Sequence, residues 1–186
     1  TVELADLPWW RRWTGQAPGG PVSVLAASCR WPGTPFDREA ADRLALQMEG
    51  HLQHPTRPAD ALVLLGDQIY ADATANVAET TEPSERGAQR YRDAWSGEHS
   101  RRLLGQIPTW LVVDDHEFGD NVDGPGTSPS PQFLTGFEAA LAYQWRWHRN
   151  TDPPRPAGPG GPARGFWHEF DMAGIPAFAA DTRTER

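Results

Sequence analysis

The strongest constraint on this chain is a pair of short apolar runs that each end in acids. Leu111-Val112-Val113 delivers Asp114-Asp115-His116-Glu117 to one point. Upstream, Ala61-Leu62-Val63-Leu64-Leu65 delivers Gly66-Asp67-Gln68-Ile69-Tyr70. Continuous apolar runs of this length, bounded by turn residues, describe strands buried on both faces. Carboxylates and an imidazole crowded at a strand end are poor core material, because burying them unpaired is costly. They suit metal and phosphate chemistry.

Helical and strand patterns alternate around these runs. Val22 to Ser28 reads as a first strand, and Asp37 to about Leu52 as a helix with Ala41, Leu44, Ala45, Met48 and Leu52 on one face. Glu85 to about Leu104 is helical, with Gly97 as the point where it would break, and Thr109–Val113 is the third strand. Gln132 to Arg149 follows as a helix with Phe133, Phe137, Ala140 and Leu141 inward. Phe166–Asp171 and Ile175–Ala180 form an antiparallel pair around Ala173-Gly174. Residues 31–35, 71–83 and 119–131 read as loops, and Pro153 to Pro162 as a low-complexity excursion. Residues 1–20 are an irregular lead-in and 21–186 one domain. The order β-α-β-α-β-α-β-β predicts an α/β fold with a mainly parallel sheet flanked by helices. Ligands of such sheets bind beyond the carboxyl ends of the strands. Cys29, Asp67 and Asp115 each follow a strand and so share one rim.

The 186 residues include nine tryptophans, and hydrophobic residues make up 38%, enough for a sizeable core. The net charge of −8 argues against a nucleic-acid groove. All basic residues apart from histidine are arginine, and a single cysteine excludes an internal disulfide. No apolar run reaches the length of a membrane span. Trp9-Trp10-Arg11-Arg12-Trp13 lacks the apolar stretch of a signal peptide, and the compartment stays open.

Each candidate residue has two readings. Asp67 fits a turn after Gly66 as well as a metal site, and Tyr70, three residues on, fits a packed aromatic or a phenolate ligand on the same side. Cys29 fits a small buried hydrophobe or a ligand. Thiolate, phenolate and carboxylate together would suit trivalent iron. Asp114 to Glu117 fits a helix cap, or a site in which Asp115 holds a metal, His116 protonates a departing oxygen and Glu117 orients the imidazole. Asp120 and Asn121 are secondary ligand candidates. His51, His54, His99, His148 and His168 read as surface or structural. Arg183, in Asp181-Thr182-Arg183, fits a bidentate grip on an anionic substrate or a structural ion pair.

Taken in order, Ala27-Ser28-Cys29, Gly66-Asp67-Gln68-Ile69-Tyr70, Asp114-Asp115-His116-Glu117 and Asp181-Thr182-Arg183 resemble the PhoD-like branch of the metallophosphoesterases, across most of residues 22–186. The resemblance implies a sandwich of two facing mixed sheets flanked by helices. It implies metal-dependent hydrolysis of a small phosphoester, monoester or diester, by a metal-bound hydroxide with iron(III) and calcium. Cys29 and Tyr70 would be iron ligands, Asp67 the bridging carboxylate, Asp115 a further ligand and His116 the group that assists the leaving oxygen. Family members are often exported. The family also needs later strand ends of the Gly-Asp-x-His kind, and no histidine follows His168. The expectation is therefore the first half of a longer enzyme, whose metal site needs a C-terminal half. The alternative is a non-catalytic fragment or pseudoenzyme that binds metal or phosphate. A dinucleotide-binding domain is disfavoured, since no Gly-x-Gly-x-x-Gly follows the first strand.

Overall fold

The computed structural model describes residues 22–30, 38–72, 83–124, 129–145, 154, 165–172 and 175–184. The lead-in, the 31–35 loop, most of the Pro/Gly excursion, His148, the turn at 173–174 and the end of the helix expected to reach Arg149 lie outside the described residues. The element order is β1 (Val24–Ala27), α1 (Arg38–Leu52), β2 (Ala61–Leu65), α2 (Pro83–Trp95), α3 (Glu98–Gln106), β3 (Thr109–Val112), α4 (Pro131–Tyr143), β4 (His168–Met172) and β5 (Ile175–Ala179). This is the expected α/β alternation, with one parallel and one antiparallel sheet.

The parallel sheet has the order β1-β2-β3, with Leu25 beside Leu62 and Leu64 beside Leu111. One face carries Leu25, Leu62, Leu64 and Leu111 into a core closed by Ala45 and Met48 of α1 and Leu103 and Leu104 of α3. Fully burying an aliphatic side chain of this size is worth about 1.5–3 kcal/mol, so this face anchors the sheet. On the other face Val24 and Leu65 are exposed, while Trp110 stacks on Phe170 of β4 at 4.8 Å. Two further clusters underlie the loops that leave β2 and β3. Val113 and Phe118 pack with Phe133, Phe137 and Ala140 of α4, and Ile69 and Ala71 pack with Tyr91 and Ala94 of α2.

Several expectations shift for physical reasons. The first strand starts at Val24, because the Ser23 amide donates to the Asp60 carboxylate at 2.8 Å instead of joining the ladder. The break expected at Gly97 is present and gives two helices, α2 and α3. Between them Asp42 of α1 receives the amides of His99 at 3.2 Å and Ser100 at 2.9 Å, capping α3 from outside. A side chain at Gly97 would collide with that carboxylate. On α1, Ala45 is buried and Met48 and Leu52 pack on the core, whereas Leu44 is exposed. Helix α4 starts at Ser130-Pro131, where the Ser130 hydroxyl accepts from the Phe133 amide at 3.0 Å and proline occupies the first turn. Phe166 lies outside β4, because its amide donates to the Asp181 carboxylate and its ring turns into the α4 cluster. No helix of the described residues is long and apolar enough to cross a membrane.

Candidate metal centre

The carboxyl ends of the three parallel strands meet, as the alternation predicts. The Cys29 amide donates to the Gly66 carbonyl at 3.3 Å and the Arg30 amide to the Asp67 carbonyl at 2.9 Å, which joins the loop after β1 to the loop after β2. The Cys29 thiol then lies 3.4 Å from Asp67 Oδ2 and 3.1 Å from the Ser28 hydroxyl. The Tyr70 side chain lies beside Cys29, and its ring lies on the His116 imidazole with centroids 4.3 Å apart. Asp67, Asp115 and His116 bring ligand atoms within 4.8 Å of one another. Five predicted residues, Cys29, Asp67, Tyr70, Asp115 and His116, thus form one cluster.

Backbone conformation marks the same residues. Among the described residues, the non-glycine positions with positive φ are Cys29 at 55°, Asp67 at 54° and Asn121 at 54°. Left-handed backbone costs an L-residue about 1–2 kcal/mol, and such strain concentrates at functional sites. Gly66, at φ 98°, is needed for a second reason: a side chain there would collide with the Asp114 side chain.

The electrostatics favour a cation. Asp67 is only 5% exposed, and its Oδ1 is buried with no hydrogen-bond partner. Burial pushes the Asp67 carboxyl up; the Cys29 contact pulls it down and the Asp114 charge pushes it up again. Burial also raises the Tyr70 phenol, helped by the charges of Asp67 and Cys29. An orphaned carboxylate oxygen beside a thiol, a phenol and an imidazole fits a metal ion, whose charge would oppose both shifts.

Two acids take parts that the sequence did not assign. Asp72 contacts His116 Nδ1 through both oxygens, at 2.9 and 2.8 Å. Burial alone would lower this imidazole; the Asp72 hydrogen bond and charge, with the charges of Asp67 and Asp115, outweigh it and raise it. Glu117 was expected to orient His116, but Asp72 does so, and Glu117 points into the protein. It is fully buried and receives the amides of Asp67 at 3.1 Å, Gln68 at 2.6 Å and Asp114 at 2.9 Å. Burial pushes it up to about 8, against the pull of those amides. The only local clue to Asp72 was its place two residues after Tyr70, and nothing local marked Glu117 as a buried acceptor of backbone amides.

The remaining candidates sit at the margin. Asn121 is exposed; its amide side chain donates to Asp120 at 2.8 Å and its backbone N–H to Asp115 at 2.7 Å. Arg183 donates through Nε to Asp114, and its Nη2 lies 3.4 Å from Asp115. Asp181 does not pair with that guanidinium; its carboxylate accepts the backbone amides of Arg183 at 2.9 Å and Thr184 at 2.8 Å. His168 is buried and its Nδ1–H donates to the Phe166 carbonyl at 3.0 Å, a structural placement.

The fold and this rim define a mixed α/β protein whose strand-end loops carry candidate metal-ligand groups. No protein-family model matches the chain, and no curated protein sequence matches it. Among solved structures, one described as "Structure of PhoD" aligns with 92% of the chain at 19% identity and a TM-score of 0.58. The fold is therefore PhoD-like. The chain spans 33% of the length of that PhoD chain.

Proposed function

We propose that this chain carries part of the active site of a metal-dependent phosphoester hydrolase. The observation that carries the reading is the convergence of Asp67, Asp115 and His116, with an orphaned Asp67 oxygen and Cys29 and Tyr70 alongside. Cys29, Asp67 and Tyr70 would hold the softer ion, for which iron(III) suits the sulfur and phenol donors; Asp67, Asp115 and Asn121 would hold a harder ion such as calcium. When bound, such ions polarise a phosphoryl group and acidify water.

The protein's own groups supply the rest. Asp72 holds a proton on His116 Nδ1, and its hydrogen bond and charge shift the imidazole toward the imidazolium. That is the protonation state a general acid needs to protonate a departing alkoxide. Arg183 adds positive charge beside the rim, and a phosphate contact would share its guanidinium with Asp114 and Asp115. The substrate class proposed is a small phosphoester, monoester or diester.

The test is turnover of a chromogenic phosphodiester by purified protein supplied with iron and calcium. His116→Ala is expected to lower kcat by roughly 10²–10⁴-fold; an undiminished rate removes His116 from the mechanism. Ferric iron on Cys29 or Tyr70 should give a visible charge-transfer band, and active, colourless, iron-free protein would refute that pair as iron ligands. The second reading is metal or phosphate binding without catalysis. It draws on the chain spanning 33% of the PhoD chain it aligns with, and metal retention without turnover would favour it.

A further inference from the structure

We infer that Glu117 is a positioning residue whose buried carboxylate pins the two ligand-bearing loops to each other. This rests on the metal-centre reading above and adds a part the ligands themselves do not play. The loop after β2 supplies Asp67 and Tyr70; the loop after β3 supplies Asp115 and His116. Between the Asp67–Gln68 segment and the Asp114–Glu117 segment, Glu117 is the shared acceptor. Its Oε1 takes the Gln68 amide at 2.6 Å and Gln144 Nε2 at 3.3 Å, and its Oε2 takes the Asp67 amide at 3.1 Å and the Asp114 amide at 2.9 Å. Each oxygen therefore serves two donors, the full capacity of a carboxylate.

The seat around it is built to keep it there. Gln144 Nε2 also donates to the fully buried Tyr91 hydroxyl at 2.7 Å, tying the carboxylate to α2 and to the end of α4. Gly136 of α4 lets the helix backbone press on the Glu117 carbonyl; a side chain there would come within 2.5 Å of that oxygen. Phe118, next in sequence, is fully buried among Phe133, Phe137 and Phe166. Three of these four hydrogen bonds fix backbone rather than side chain. They thereby fix the Cα positions from which Asp67 and Asp115 extend.

The geometry predicts that an isosteric amide fails. Glu117→Gln keeps the volume but replaces one oxygen by NH2, so two donors face a donor. The amides of Asp67, Gln68 and Asp114 should exchange slowly in metal-free wild-type protein. In Glu117→Gln they should exchange at least tenfold faster, with the Leu62 and Leu64 amides of β2 unchanged. Metal retention after dialysis against iron, calcium or manganese salts should fall at least tenfold in Glu117→Gln. It should be unchanged in Leu103→Ala, a core variant chosen to lose stability without touching the rim. If Leu103→Ala loses metal to the same extent, Glu117 acts through stability alone and the inference is wrong. If Glu117→Gln does not fold, the wild-type exchange decides: rates typical of exposed loop amides overturn the proposal. Should wild-type protein retain no metal, the metal-centre reading fails, while the exchange measurement still judges whether Glu117 pins the loops.

Discussion

The helix-covered face of the parallel sheet and the rim at its carboxyl ends are built from the same strands on opposite terms. Beneath α1 and α3, the core residues agree with their surroundings: Leu62 and Leu111 are apolar, buried and extended. At the rim, one or two residues further on, almost every residue disagrees. Asp67 and Glu117 are charged types in buried positions, and Cys29 and Asp67 occupy left-handed backbone. Local agreement stabilises a fold; disagreement persists where neighbouring structure enforces it, and it marks sites of function. The difference teaches that the core holds the rim in a conformation the rim sequence would not choose.

The sharpest way to break that contrast is to damage the core. Leu103→Ala should cost about 2–5 kcal/mol of unfolding free energy, read by denaturant titration, with metal affinity of the folded protein unchanged. Asp67→Asn should act in the opposite sense. Asparagine tolerates left-handed backbone and carries no buried charge, so metal-free protein should gain roughly 1 kcal/mol in stability while losing metal affinity. A loss of both would show that the Asp67 charge is not a metal-free liability.

The smallest effect concerns His116. Its pKa should lie above the ordinary 6.5 in an NMR titration of metal-free protein, and Asp72→Asn should bring it down. Because the folded value is raised, the stabilisation is fully present below the unfolded pKa and is lost as pH rises through the folded one. Wild-type protein should therefore lose stability over that window, read by denaturant titration, and Asp72→Asn should not.

Local signals were enough for much of the fold. The boundaries of β2 were read as they are, and the start of β3 at Thr109 follows from its apolar run after Pro108. Alternation placed Cys29, Asp67 and Asp115 on one rim, and the structure brings them there. What escaped was decided by partners distant in sequence. The break at Gly97 was legible, but the cap that enforces it, Asp42, lies 58 residues before Ser100. Asp72 finds His116 44 residues away, and Glu117 finds Asp67 across 50. Residue type and periodicity report what a side chain prefers, not which amide will face it.

The contact between Arg183 and Asp114 spans 69 residues, among the longest reaches of any side-chain pair at the rim. As the chain leaves the ribosome, Asp114 and Asp115 are both made before their guanidinium counter-charge. Contacts of such separation are also the slow ones to form. Until residue 183 emerges, Asp114 and Asp115 lack that counter-charge, so assembly order leaves this edge of the rim acidic until late.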